Sequence, residues 1–175
     1  LDKQYRMHPL LGSFISRNFY ERFDPEEQFG SGRPASDFAH DLPGTNGKSA
    51  VWMDVPAQRG KHQKDGTSWT RPAEVTVIAR QLQAWMSSDA GKDLSFGVIS
   101  FYKAQADSIR EQLKRKFGGI VNDDKQLRVG TVDSFQGMEF DVVFLSMVRT
   151  LPQNWQPKDD DRDKQARALF GHLCL

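Results

Sequence analysis

Val129 to Arg149 reads VGTVDSFQGMEFDVVFLSMVR, and no other stretch restricts the fold of this chain so tightly. Two apolar runs, Leu127–Val129 and Val142–Leu145, flank a polar segment holding Thr131, Asp133, Ser134, Gln136, Gly137 and Glu139. Short runs rich in Val and Phe suit buried parallel strands. The polar segment then becomes the loop and short helix leaving the carboxyl end of a strand, where open α/β sheets collect their ligands. Hydroxyls, an amide and a flexible glycine gathered there suit phosphate, with backbone N–H groups assisting. They suit equally an ordinary strand–turn–strand connection whose polar residues cap a helical turn.

The chain has 175 residues, 38% of them hydrophobic, enough to bury one sizeable core and to predict a single domain. Its 24 basic and 23 acidic residues nearly balance, so any nucleic-acid footprint has to be a local patch. Cys174 is the one cysteine, which excludes an internal disulfide and a zinc cluster and suits a reducing compartment. No metal site is expected. No apolar stretch reaches membrane-spanning length, and the first residues lack a signal-peptide pattern. The expectation is an intracellular protein without membrane contact, cytoplasmic, or nuclear in a eukaryote. The start at Leu1 and the ending ALFGHLCL read as a piece of something longer.

From the N-terminus, Pro9 is placed to open a helix, with Leu10, Phe14, Ile15 and Phe19 as its apolar face through about Tyr20. Residues 24–49 are rich in Gly, Pro, Ser and Asp and show no sustained period, which predicts a flexible surface insert. Inside it LPGTNGKS, Leu42 to Ser49, nearly fits the phosphate-loop pattern. Leu42 stands where the first glycine is required, and no buried strand precedes the segment. Lys48 is therefore read as a solvated lysine. Ala50–Val55 reads as a strand. The basic run Ala57–Gly66, with Arg59, Lys61, His62 and Lys64, has almost nothing to bury, and 57–68 reads as a second flexible, solvated insert. Riding on a phosphate backbone is the other use of such a run.

Val75, Ile78, Leu82 and Trp85 recur at helical spacing, predicting a helix over roughly Pro72–Met86 with Trp85 in its core seam. Phe96–Ser100 is the next strand. A helix from Tyr102 to about Phe117 follows, with Ala106, Ile109, Leu113 and Phe117 as its buried stripe. Gly118–Gly119 ends it and Leu127 opens the strand already described. Residues 151–167 are a polar insertion. Alternating strands and helices with short connections imply a parallel sheet covered on both faces.

Four strings carry a resemblance. QYRMHP, Gln4 to Pro9, is similar to motif IV of superfamily 1 helicases in the branch containing the nonsense-mediated-decay and senataxin-type enzymes. TVDSFQGMEFDVV, followed by LSMVR, resembles motif V and its downstream strand in the same branch, in the same order along the chain. GTSWTRPAEV resembles a family segment with asparagine three residues before its glutamate; here Arg71 takes that place and Glu74 is kept. GVISFYKAQ resembles the segment at the nucleic-acid face, with Ser100–Phe101 where threonine–proline is usual.

The resemblance implies the second RecA-like domain of such a helicase, 1–175, ending short of motif VI and lacking its own phosphate loop. Its cofactor would be ATP with magnesium, the magnesium ligands lying on a first RecA-like domain of the same parent chain. Tyr5 would stack on the adenine and Arg6 would approach the γ-phosphate, for which a planar, permanently charged fork is suited. Gln136, paired with Arg6 as catalytic, and Gly137 would lie near the γ-phosphate, and Glu139 would accept hydrogen bonds from the ribose. Ser100, Tyr102, Gln105, Thr131 and Ser134 would hold single-stranded DNA or RNA. The isolated chain would be inactive. The alternative is a non-catalytic nucleic-acid or protein-binding module that kept the helicase fold.

Overall fold

The computed structural model describes residues 2–118 and 126–150. The chain divides into two compact units, Leu1–Met53 with Ala84–Asp93, and Asp54–Gln83 with Leu94–Leu175. The expected insertion at 151–167 and the chain's apolar ending lie outside the described residues.

In the first unit β1 (Lys3–Gln4) pairs in parallel with β2 (Gly30–Ser31), with Gln4 opposite Ser31. Between them α1 (Pro9–Ile15) runs into a π-helical turn over Ser16–Tyr20. Pro9 takes the first helical position, where its missing N–H costs nothing, and His8 Nδ1 accepts the Leu10 N–H at 3.1 Å as the cap. The apolar face is not inward as its spacing suggests. Leu10, Phe14 and Phe19 are exposed, while Gly12 and Ser16 are buried. Polar anchoring decides the orientation: Ser16 Oγ donates to Glu21 Oε1 at 2.6 Å and accepts the Phe29 N–H at 3.1 Å.

Residues 24–49 hold only short 3-10 turns, Pro25–Glu27 and Ala35–Phe38, besides β2. They are nevertheless packed in places. Leu42 and Thr45 are buried, Thr45 Oγ1 donates to Leu42 O at 2.8 Å, and Trp85 Nε1 donates to Pro43 O at 2.9 Å. The strand expected at Ala50–Val55 is absent: the segment has no regular structure and pairs with no strand among the described residues, and Trp52 is 80% exposed. An apolar, strand-like composition does not hold a strand without an edge to pair with.

The second unit carries, after a 3-10 turn at Ala57–Arg59, a hairpin that the sequence does not reveal. β3 (Gln63–Asp65) pairs antiparallel with β4 (Ser68–Thr70) across a two-residue turn whose first member, Gly66, has φ 58°. A positive φ there is what a tight hairpin needs, and glycine supplies it without strain. β3 buries nothing, so its backbone pairing leaves no hydrophobic trace.

α2 (Pro72–Met86) matches its predicted span, with Val75, Ile78, Leu82 and Trp85 all buried. β5 (Phe96–Ser100) leads into α3 (Lys103–Phe117), Tyr102 standing as the extended cap residue rather than the first helical one. β6 (Leu127–Thr131) and β7 (Val142–Ser146) both pair in parallel with β5, giving the order β6-β5-β7. Phe96, Val98 and Ser100 share one buried face with Leu127, Val129, Phe144 and Ser146, and α3 lies along β5 and β6. The other face is only partly covered: Gly97 admits the rings of Phe135 and Phe140, while Val143 and Leu145 are exposed. β7 thus alternates like an outer strand instead of being buried on both faces.

Candidate functional site

In the first unit the QYRMHP loop is organised by one amide. Gln4 Oε1 accepts the N–H of Arg6 at 2.9 Å and of Met7 at 2.7 Å, and Nε2 donates to Met7 O at 2.8 Å and Ser31 Oγ at 2.6 Å. Those four bonds use the full capacity of the side chain, two donors and two acceptor sites. The loop is thereby held shut on its inner side, and it turns Tyr5, 62% exposed, and Arg6 outward. Gly12 takes part from α1: a Cβ there would stand 2.8 Å from Gln4 Nε2.

In the second unit the motif V segment leaves the carboxyl end of β6 as a single 3-10 turn, Val132–Phe135. Ser134 Oγ donates to Thr131 O at 2.7 Å, closing the turn, and the Phe135 ring is buried beneath it. Gly130 makes room, since a Cβ there would overlap Ser134 Oγ. Gly137 has φ 80°, a conformation that lets the chain reverse direction and leaves Gln136, Gly137 and Glu139 exposed. Thr131 and Ser134 are half-buried beside them.

Ser100, Tyr102 and Gln105 are placed differently from the expectation that they meet a strand. All three are buried. Ser100 Oγ donates to Ser146 O at 3.3 Å and accepts the Tyr102 N–H at 3.2 Å. Gln105 Oε1 accepts from Thr70 Oγ1 at 2.9 Å and the Arg71 N–H at 2.7 Å, while Nε2 donates to Ser146 Oγ at 2.9 Å. Buried polar groups require partners, and here the side chains of Ser100 and Gln105 supply them to the junction of β4, β5, β7 and α3 from within.

A second polar centre had almost no trace in the sequence. Arg71 is 3% exposed, and its guanidinium donates to the carbonyls of Gly60, Val55 and Pro56 and to Glu74 Oε1. Glu74 in turn accepts from Ser146 Oγ at 2.6 Å and from the Val148 N–H. Just beyond, the Arg149 guanidinium lies 4.6 Å over the Trp69 ring, whose edge meets His62. His62 Nδ1 accepts the Thr150 N–H at 3.1 Å, so the ring is neutral with its proton on Nε2. Burial first, then the positive charges of Arg149, Arg71 and Lys61, lowers its pKa. His62 is thus a tether for the chain leaving β7, where composition alone suggested a solvated loop histidine.

Among the described residues no three or more His, Cys, Asp or Glu side chains group as a metal site, and no helix is long and apolar enough to cross a membrane. Lys48 is exposed on consecutive turns, without a strand before it or a helix after it.

Comparison with known proteins agrees with the motifs. Residues 1–166 match the family described as AAA domain. The chain is 30% identical over 156 residues to Helicase SEN1 of Saccharomyces cerevisiae, covering 85% of this chain and 7% of that protein. It is 30% identical over 155 residues to the probable helicase senataxin of Homo sapiens, covering 85% of this chain and 5% of that one. To the ATP-dependent helicase upf1 of Schizosaccharomyces pombe it is 28% identical over 149 residues, 84% of this chain and 16% of that protein. The chain thus spans a small part of the length of each relative. Its mixed helices and strands around a parallel sheet are consistent with a RecA-like fold. The chain belongs to the AAA domain family, as a domain of the superfamily 1 helicase type.

Proposed function

We propose that the chain is the second RecA-like motor domain of an ATP-dependent superfamily 1 helicase, supplying half of the ATP site and part of the track for single-stranded nucleic acid. One observation carries the reading: the motif V residues Gln136, Gly137 and Glu139 stand exposed after a buried parallel strand, in a chain similar over 85% of its length to two named helicases. Ligands of open α/β sheets gather at such strand ends.

In this reading Arg6 and Gln136 are the catalytic groups. Arg6 would neutralise charge on the transferring phosphoryl oxygens, and Gln136 would orient groups around the γ-phosphate. Tyr5 would stack on the adenine, Gly137 would let the backbone approach the phosphates, and Glu139 would take the ribose hydroxyls. The exposure of Tyr5 and Arg6 fits such a ligand. Magnesium would be held by a first RecA-like domain of the parent, and when bound it would offset phosphate charge. The nucleic-acid contacts centre on Thr131 and Ser134, whose side chains are open to solvent in part. Ser100, Tyr102 and Gln105 would support that edge from inside, and backbone-directed hydroxyls of this kind would hold DNA or RNA without reading sequence.

The test is turnover against nucleotide affinity in the full-length parent. Arg6→Ala should cut turnover by roughly a thousandfold, the scale of arginine fingers, and change ATP binding far less. Arg6→Lys should rescue poorly, because a point charge lacks the planar fork. The isolated 175 residues should hydrolyse no ATP; hydrolysis by them, or intact turnover in Arg6→Ala, would overturn the proposal.

A further inference from the structure

The stacking residue of this reading does not stand alone on its loop. In the β1–β2 pair Gln4 lies opposite Ser31, and one step further the Gly32 N–H donates to Gln4 O at 2.8 Å, which brings Gly32 alongside Tyr5. One side of the Tyr5 ring packs on the Gly32 backbone. A Cβ at Gly32 would stand 2.6 Å from Tyr5 Cδ1 and closer still to Cε1 and Cζ, well inside any real contact. Gly32 has no positive φ, so backbone conformation does not call for glycine here; the close approach of the ring does. The rest of the ring is open to solvent.

We infer that Gly32, carried on the segment between the two motifs, is a positioning residue that sets the plane of the Tyr5 ring for a stacked nucleobase. This rests on the nucleotide-binding reading of Tyr5 and adds to it a residue outside both motifs. The supporting frame is rigid for a physical reason. Ser31 Oγ is tied to the same Gln4 amide that shapes the QYRMHP loop, and Gly12 lets α1 approach that amide from behind. A methyl at Gly32 therefore cannot be absorbed by shifting the strand pair. The exposed ring is the part free to move, and it swings off its seat while the fold stays. An aromatic stack depends on ring offset and angle, so a displaced platform loses the base even though every motif residue is present.

The experiment is a double-mutant cycle in the full-length parent with Gly32→Ala and Tyr5→Ala, reading the Kd for ATP, the KM and kcat for ATP with single-stranded nucleic acid present, and the melting temperature. Gly32→Ala should weaken ATP binding and raise KM about three- to tenfold, the range of one aromatic pair, with kcat at saturating ATP nearly unchanged and the melting temperature held. In the Tyr5→Ala background it should have no further effect on affinity. If Tyr5→Ala weakens ATP binding and Gly32→Ala does not, the positioning role is wrong while the nucleotide reading stands. If Tyr5→Ala leaves ATP affinity intact, the nucleotide reading of Tyr5 itself fails. A Gly32→Ala loss that persists undiminished in the Tyr5→Ala background would mean general damage and would also overturn the inference.

Discussion

Glu74 receives the backbone N–H of Val148 with both carboxylate oxygens at 3.1 Å, and Val148 lies in the left-handed region at φ 66° with its side chain fully buried. A β-branched residue is rarely found there, and only surrounding contacts hold it. Glu74 is the principal one. Its carboxylate also answers Arg71 and Ser146, so one group fixes the chain leaving β7 and, through it, the place of Arg149 over Trp69.

Glu74→Ala would strand a buried N–H and weaken the pairing of a buried guanidinium. The expected loss is about 3 kcal/mol or more in urea unfolding of this chain, the range for breaking a buried ion pair. Glu74→Gln keeps the shape and one acceptor and should lie between. A Glu74→Ala protein within about 1 kcal/mol of wild type would show that Val148 is held by something else.

His62 supplies a pH dependence of known sign. Its pKa is lowered in the folded protein from the ordinary value of 6.5, by burial and by Arg149, Arg71 and Lys61. The unfolded chain therefore binds the proton first as pH falls. Its contribution is fully present above 6.5 and is lost as pH falls from there through the lowered folded value. Protonation of Nδ1 also removes the acceptor for the Thr150 N–H. Stability of wild type minus that of His62→Gln, measured from pH 8 to 5, should decline below about pH 6.5. A flat or rising difference would contradict the tether.

These two centres show which parts of the molecule the sequence makes legible. Helical periodicity marked α2, because Val75, Ile78, Leu82 and Trp85 are all buried on one seam. The parallel strands were visible as apolar runs. In α1 the same reasoning misplaced the buried face, since Ser16 and Gly12 are drawn inward by hydrogen bonding and close approach, neither of which leaves a hydrophobic signature. The β3–β4 hairpin was hidden because its first strand buries no side chain, and the false strand at Ala50–Val55 had composition without a partner. Of the candidate site, the exposed groups Tyr5, Arg6, Gln136 and Glu139 were legible as motif letters. That Gln105 is enclosed, or that Arg71 and Glu74 meet residues more than ten or seventy positions away, depends on tertiary contacts that no local pattern encodes.

Lys48 offers a negative prediction. Its segment imitates a phosphate loop in letters, yet Leu42 is buried where a glycine would cradle phosphate, and the residues around it are turns. Lys48→Ala in the full-length parent should leave ATP turnover nearly unchanged. A loss of tenfold or more, about 1.4 kcal/mol of transition-state stabilisation, would require the loop to touch nucleotide.

The strand-binding proposal turns on two hydroxyls. Ser134 Oγ donates its one proton to Thr131 O, so it donates to a phosphate only by giving up that bond, whereas Thr131 Oγ1 is not drawn into that turn. Contacts of this kind go to sugar and phosphate, so they position a strand without choosing its bases. Thr131→Ala with Ser134→Ala, made together in the parent, should weaken single-strand binding about equally for several unrelated sequences. It should also lower the nucleic-acid-stimulated ATPase while hydrolysis without nucleic acid persists. Losing the turn's own hydrogen bond costs about 1 kcal/mol of stability, so a melting curve of the double variant is read alongside to confirm that the fold survives. Equal stimulation in double variant and wild type, with the fold intact, would remove the Thr131–Ser134 turn from the nucleic-acid site. A loss confined to one sequence would point instead to base readout, which these two hydroxyls at the end of β6 are not arranged to provide.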